Sequence, residues 1–261
     1  MAKILSIASG SKGNCTYIGA DSGAVMIDAG VSAARIAKTL DEHSLDPAGI
    51  RAIFVTHEHI DHIKGVKTFA SRYSIPVYMT EGTRAACMKN GFFNSKVDIH
   101  TVGKCDIVGD FAVTSFHTMH DSKESCGYVI ETPREKLAVC TDLGVVTDDV
   151  HNALCGCRAV VIESNHDINM LSRNPNYPMP LKRRIMSDKG HLSNNECADE
   201  IYNLIQSGSV HFILAHLSEQ NNTPTIAAGT VRTRMLIEGL RENRDYTLNV
   251  SSPNSNGVVI V

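Results

Sequence analysis

The chain has 261 residues, 43% of them hydrophobic, and a formal charge of −3, which suits one large domain spanning 1–261 with an ample core. That charge argues against a globally basic nucleic-acid binder, and the absence of Trp with only 5% aromatics argues against a stacking platform for single-stranded bases. No apolar run reaches the length of a membrane span, and Met1-Ala2-Lys3-Ile4-Leu5-Ser6-Ile7 turns polar too soon for a signal peptide, so a cytoplasmic protein is expected. The eight cysteines sit mostly in apolar runs such as Ala138-Val139-Cys140 and form no C-x-x-C pair, which points to reduced, buried thiols. Cys155-Gly156-Cys157 is the one pair close enough to be weighed as a metal site.

In chain order, residues 3–8 and 15–19 read as strands joined by Ser9-Gly10-Ser11-Lys12-Gly13-Asn14. Small residues and two glycines let backbone N–H groups converge on an anion there, although a plain hairpin connection fits as well. The strand Ala24-Val25-Met26-Ile27 ends in Asp28, a carboxylate placed to receive hydrogen bonds from a neighbouring loop. Ser32 caps a helix running to about Glu42. Next comes Ala52-Ile53-Phe54-Val55, a short buried strand, and directly after it Thr56-His57-Glu58-His59-Ile60-Asp61-His62, with a helix starting near Asp61. Imidazole and carboxylate suit Zn²⁺, Mn²⁺ or Fe²⁺. So short a loop can hardly turn His57, His59, Asp61 and His62 on one ion, so two ions are expected.

A strand at 75–79, a helix from Thr80 to Asn90 closed by Gly91, and short strands near 97–100, 104–108 and 111–116 follow. The last of these ends in His117-Thr118-Met119-His120-Asp121, and either His117 or His120 can complete a metal site. Gly127–Ile130 and Leu137–Cys140 form a hairpin leading to Asp142, and the strand 158–162 leads to Glu163-Ser164-Asn165-His166-Asp167. Residues 170–190 hold three prolines around Lys182-Arg183-Arg184, either a solvated loop and helix start or a basic lid or rim that grips phosphate. Ser193 and Glu196 form a capping box on a helix ending at Gly208, which sets His191 just before a helix N-terminus. The strand 211–215 ends at His216, Thr223-Pro224 opens the final helix, and 246–261 reads as a closing strand or hairpin. The alternation of strands and helices calls for a layered α/β or α+β fold.

The H-x-H-x-D-H run resembles the metallo-β-lactamase superfamily, which binds one or two metal ions at one edge of an αββα sandwich. The resemblance implies His57, His59 and His120 on one ion, Asp61, His62 and His216 on the other, and Asp142 between them. A water bridging such ions is hydroxide near neutral pH and can attack a phosphodiester held by the same ions, with Asp61 orienting it. The Glu163-Ser164 and Gly190-His191 segments resemble the glutamate and histidine motifs of the tRNA 3′-processing phosphodiesterases. His191 is then the proton donor to the leaving alkoxide, with Glu163 raising its pKa.

Together with Ser9–Asn14, Asn165-His166-Asp167, Leu192-Ser193-Asn194 and His216-Leu217-Ser218, these motifs look like the bacterial YycJ (WalJ) family over nearly the whole chain. That resemblance implies a metal-dependent 5′→3′ DNA exonuclease with a role in mismatch repair. Ser9, Ser11, Asn14, His166, Arg183, Ser193 and Asn194 are expected to touch the substrate. A phosphodiesterase for cyclic or short nucleotides is the alternative, followed by a glyoxalase-II-like thioesterase and a non-enzymatic metal-binding regulator.

Overall fold

The computed structural model describes residues 2–93, 96–254 and 257–261. Its strands are β1 (Lys3–Ala8), β2 (Cys15–Ala20), β3 (Gly23–Ile27), β4 (Ile50–Phe54), β5 (Val77–Met79), β6 (Ile99–Thr101), β7 (Asp106–Val108), β8 (Phe111–His117), β9 (Cys126–Glu131), β10 (Lys136–Cys140), β11 (Ala159–Glu163), β12 (His211–Ala215), β13 (Thr247–Val250) and β14 (Val259–Ile260). The helices are α1 (Ala33–Glu42), α2 (Ile60–Ile63), α3 (Val66–Tyr73), α4 (Glu81–Lys89), α5 (Asp148–Leu154), α6 (Ile168–Arg173), α7 (Met179–Ile185), α8 (Asn194–Gln206) and α9 (Pro224–Ile237). Two seven-stranded sheets result, ordered β14-β1-β2-β3-β4-β5-β6 and β13-β12-β11-β10-β9-β8-β7.

Three apolar clusters show how the layers stack. Val25, Ile27 and Phe54 of the first sheet meet Tyr128, Val139 and Val161 of the second in the central layer. The neighbouring residues Met26 and Ile53 point the other way, onto Ile36, Val66 and Phe69 of the helices. On the far side Val160 and Ile162 pack against Leu154, Ile201 and Val231. Because side chains alternate across a strand, a strand buried on both faces must be apolar throughout, which explains the unbroken runs at 52–55 and 159–162. The αββα layering is the expected one.

The structure differs from the sequence expectation in two places. The helix expected to start at Asp61 is split: α2 is one turn that begins after His59, and the chain restarts as α3 after Gly65. The closing segment is no hairpin, since β13 pairs parallel with β12 while β14 pairs antiparallel with β1 in the other sheet; residues 255 and 256 within it lie outside the described residues. Such pairings are set by distant partners, not by local pattern.

Candidate metal centre and active-site cleft

Strands β3 and β4 run parallel, as do β10, β11 and β12, so their carboxyl ends collect at one edge of the sandwich. Asp28, the His57–His62 loop, Asp142 and His216 follow those ends, Glu163 is the last residue of β11, and His120 follows β8 nearby. The rings of His57, His59 and His120 form a triangle with centroids 4.5, 5.1 and 5.2 Å apart. Their donor atoms converge within 4.8 Å, as do those of Asp61, His62 and His216, and Asp142 joins His57 and His62 in a third such group.

Each imidazole but that of His59 is aimed by a hydrogen bond at Nδ1, which turns Nε2 into the cluster. His62 Nδ1 lies 2.7 Å from Asp28 Oδ2 and His57 Nδ1 3.0 Å from Thr56 Oγ1. His120 Nδ1 donates to the Gly190 carbonyl at 3.0 Å, and His216 Nδ1 to Glu163 Oε1 at 2.6 Å. Asp28 also accepts the Thr56 N–H and hydroxyl at 2.8 and 2.9 Å, so it braces the His57–His62 loop from behind. Buried and without a hydrogen-bond partner are His57 Nε2, His216 Nε2 and Asp142 Oδ2. Orphaned polar atoms are costly in a protein interior. Asp142 shares one converging donor group with His57 and another with His216, so these orphans among neutral and anionic donors fit divalent metal binding.

Electrostatics agree with that fit. Burial, with His62 alongside, holds His57 well below the ordinary imidazole pKa, and burial also lowers His120, so both stay neutral as a ligand must. For His62 and His216 burial works in the same direction, yet the carboxylates of Asp28, Asp142, Asp61 and Glu163 outweigh it and raise both, His216 to about 10. Asp61 and Asp142 are held well below the carboxylate range despite burial, chiefly by His216 and His62. The pocket therefore favours cations, whether protons or metal ions.

Backbone geometry carries a cost here. Asp28, Asp142 and His216 adopt φ of 61°, 57° and 55°, the left-handed region that side chains with a Cβ avoid. At all three the strand ends abruptly, and the turn keeps the side chain inside the cluster.

Glu163 is fully buried and its two oxygens are fully used. Oε1 takes Nδ1 of both His216 (2.6 Å) and His191 (2.9 Å), and Oε2 accepts the N–H groups of Leu143 and Leu192 at 3.0 and 3.2 Å. His191 is opposed by burial but raised above the imidazole range by that carboxylate. Asp142, Glu163, His191 and His216 also form a converging donor group, but Glu163 there occupies the Nδ1 hydrogens. His191 and His216 open onto a cleft of 180 Å³ walled by Ser11, Asn165, Tyr177, Leu181, Arg184 and Ser218, among others.

Of the residues expected to touch substrate, Ser11 alone lines this cleft. Ser9 accepts the His216 N–H at 2.7 Å, and Asn14 reaches Gly10 and, at 3.0 Å, His62 Nε2; the first loop clasps the ligands rather than an anion. Ser193 is spent on its capping box, and Asn194 is buried against Ser164 and Asn222. His166 is buried beside Ser193, and burial lowers its pKa. Arg183 is exposed, while its neighbour Arg184 faces the cleft and pairs with Asp121 at 2.6 Å. A helix sends adjacent residues in different directions, and the basic run proves to be helical. His117, the other candidate third ligand, is exposed at the end of β8, outside every donor cluster found among the described residues. Sequence reasoning gave no site role to Thr56, Asn165, Tyr177 and Ser218, none of which carries a local signal by itself, and it took Arg184 only as part of the basic run.

With the geometry in place, comparison with known proteins is informative. A family model described as "Beta-lactamase superfamily domain" matches residues 24–216. Over 250 residues the chain is 37% identical to "Exodeoxyribonuclease YycJ" of Bacillus anthracis, covering 95% of this chain and 94% of that protein. It is 33% identical over 254 residues to "Exodeoxyribonuclease WalJ" of Streptococcus pneumoniae strain D39, with coverage of 95% and 94%. The chain belongs to the metallo-β-lactamase superfamily and, within it, to the branch of these YycJ and WalJ proteins. Among solved structures, the Bacillus subtilis metallo-β-lactamase fold protein YhfI superposes with TM-score 0.74 at 14% identity, covering 99% of this chain and 98% of the other. Unliganded yeast PDE1 superposes with TM-score 0.73 at 12% identity, covering 100% and 99%. At those identities the likeness is one of fold.

Proposed function

We propose that the chain is a metal-dependent 5′→3′ DNA exonuclease of the cytoplasm that uses two divalent ions, Zn²⁺ or Mn²⁺. His57, His59 and His120 would hold one ion, Asp61, His62 and His216 the other, and Asp142 would reach both. Ions so held supply Lewis-acid activation of water and neutralise charge on the phosphodiester. Asp61, at the open side of the cluster, would orient the attacking water as well as hold the metal. His191 stands at the cleft with Nδ1–H fixed on Glu163, so its Nε2–H delivers a proton to the departing sugar oxygen. Ser11, Asn165 and Ser218 offer hydrogen bonds to phosphate, Arg184 adds charge, and Tyr177 gives a face for the terminal base.

The observation that carries this reading is the His191–Glu163 pair. It stands beside a donor set that is complete without His191, and it is open to the cleft. A poor leaving group such as an alkoxide needs a proton donor, which hydrolysis of a β-lactam or thioester needs far less. The relatives named exodeoxyribonucleases, matched over 95% of the chain, support DNA as substrate.

The test is digestion of 3′-labelled linear DNA, single- and double-stranded, with Mn²⁺ and with Zn²⁺, wild type beside Asp142→Asn. Progressive shortening from the 5′ end that the variant lacks is expected. Intact DNA from metal-loaded protein, with hydrolysis of dinucleotides or cyclic nucleotides, would overturn the exonuclease reading in favour of a small-substrate phosphodiesterase.

A further inference from the structure

The outer helical layer over the second sheet holds a cluster of reactive side chains that shares no residue with the metal centre. His151 on α5 and Cys155 at that helix's C-cap are one turn apart, with Cys155 Sγ 3.4 Å from His151 Nε2. On α8, Glu200 Oε1 lies 2.9 Å from His151 Nδ1. The Glu200 side chain is only 5% exposed whereas that of His151 is 36% exposed, so a buried carboxylate orients an imidazole that solvent can reach. The remaining oxygen of Glu200 accepts a hydrogen bond from Asn203 at 3.4 Å. His151 and Glu200 line an open groove of 630 Å³, together with Thr147, Glu196, Asn203 and Gln206.

We propose that Cys155 is a nucleophilic thiol, activated by His151 and Glu200, and a site of covalent modification by small electrophiles and hydroperoxides. The tautomer follows from the partners. Glu200 takes the hydrogen on Nδ1, which leaves the Nε2 lone pair facing the thiol. A proton passes from Sγ to Nε2, and the imidazolium formed lies between two anions, Glu200 and the thiolate, as in other nucleophile–base–orienter constellations. Lys136, whose Nζ donates to the Cys155 carbonyl at 3.4 Å, adds positive charge where the C-terminal end of α5 would otherwise disfavour an anion. That same end presents carbonyls rather than N–H groups, so no oxyanion hole faces Sγ and acyl transfer is not supported. With a hydroperoxide, the thiolate attacks one oxygen, an S–O bond forms and the O–O bond breaks. Sulfur loses two electrons, and the departing oxygen takes the proton held by His151 to leave as water or alcohol.

The chain carries its own control. Cys105 is exposed and Cys155 only half-exposed, so accessibility alone predicts faster reaction at Cys105. Full-length protein is treated with limiting iodoacetamide at pH 7, and labelling of both cysteines is followed by peptide mass mapping. Cys155 is expected to react about tenfold faster than Cys105, and this advantage to vanish in His151→Ala and in His151→Gln while the Cys105 rate stays fixed. Hydrogen peroxide followed by dimedone should mark Cys155 and leave Cys105 unmarked. Faster labelling of Cys105, or a Cys155 rate indifferent to both His151 variants, would overturn the proposal. The unchanged Cys105 rate, with an unchanged thermal melt, identifies variants that remain folded.

Discussion

At the scale of residues, Glu163 concentrates the design, because one oxygen orients both His216 and His191, the proposed proton donor. Glu163→Gln must set an NH₂ group either against the two Nδ1 hydrogens or against the Leu143 and Leu192 amides. Both the rate and the metal affinity should fall, the latter about 10- to 100-fold, as measured by calorimetry with Zn²⁺. His191→Ala removes only the donor: metal content by plasma mass spectrometry should stay at the wild-type level while turnover drops roughly 10²–10⁴-fold. A metal-depleted His191→Ala protein would end the proton-donor assignment. Proton linkage gives a further test. In the metal-free chain the carboxylates hold protons on His62 and His216, the latter to about 10, and an incoming ion must displace them. Metal affinity should therefore weaken as pH falls, with proton release visible as buffer-dependent binding heats.

The metal-binding loop was legible because four donors within six residues have few other uses. Asp142, Glu163 and His216 were legible as polar residues closing apolar strands. What the sequence did not disclose is direction. Ser9, Asn14, Ser193 and Asn194 were read as facing substrate, yet the hydrogen bonds they make run inward to ligands, caps and each other. Nothing local distinguishes a polar side chain that binds substrate from one that braces a ligand, since both are small, uncharged and adjacent to the site.

Among elements, the ligand loops are held by backbone approach as much as by side chains. Gly30 shows this: a Cβ there would lie 1.6 Å from the Asp61 carbonyl oxygen and 2.8 Å from the Asn14 nitrogen. The Asn14 N–H donates to Asp61 O at 2.7 Å, and the Gly30 N–H to Asn14 O at 2.8 Å, so three segments are pinned at one point. Gly30→Ala should push the Asp61 loop away, costing on the order of 1–3 kcal/mol of stability and lowering metal occupancy with it. Denaturant melts and metal analysis would read both effects, and a variant with unchanged melts would show that the loop can yield. The rim is similarly fixed, since Lys182 Nζ donates to Ser172 O at 2.7 Å and ties α7 to α6. Proline spacing suggested a break there, which is right for Pro178 opening α7, but it gave no sign of α6, which ends before Pro175.

In the molecule as a whole, each proposed ion draws ligands from both sheets. His57 and His59 face His120 across the sandwich, and Asp61 and His62 face His216. Bound metal thus cross-links the layers, and chelation should lower the melting temperature, on the order of 5–10 °C at saturating ion, restored on re-addition. The buried thiols set the alkaline limit. Burial pushes Cys87 and Cys126 up to about 12 and Cys157 to about 11, and it raises Cys15, Cys140 and Cys197 as well. In the unfolded chain a thiol ionises near 8.5. Their contribution to stability is thus intact below about pH 8.5 and declines above it, by at most about 1.4 kcal/mol per pH unit for each thiol. Thermal melts between pH 8 and 11 should show this decline, and Cys126→Ala should reduce its slope.

The distances in sequence that the site spans bear on how it comes into being. The first ligand set closes with His120, but the second waits for His216, whose own N–H is then caught by Ser9, 207 positions earlier. A chain leaving the ribosome from its N-terminus can hold one ion soon after β8 has emerged. The second ion must wait until β12 is made and laid beside β11. On the proposed two-ion reading, chemistry is therefore switched on late in synthesis, and the nascent chain stays inert beside the nucleic acids of the machine that makes it.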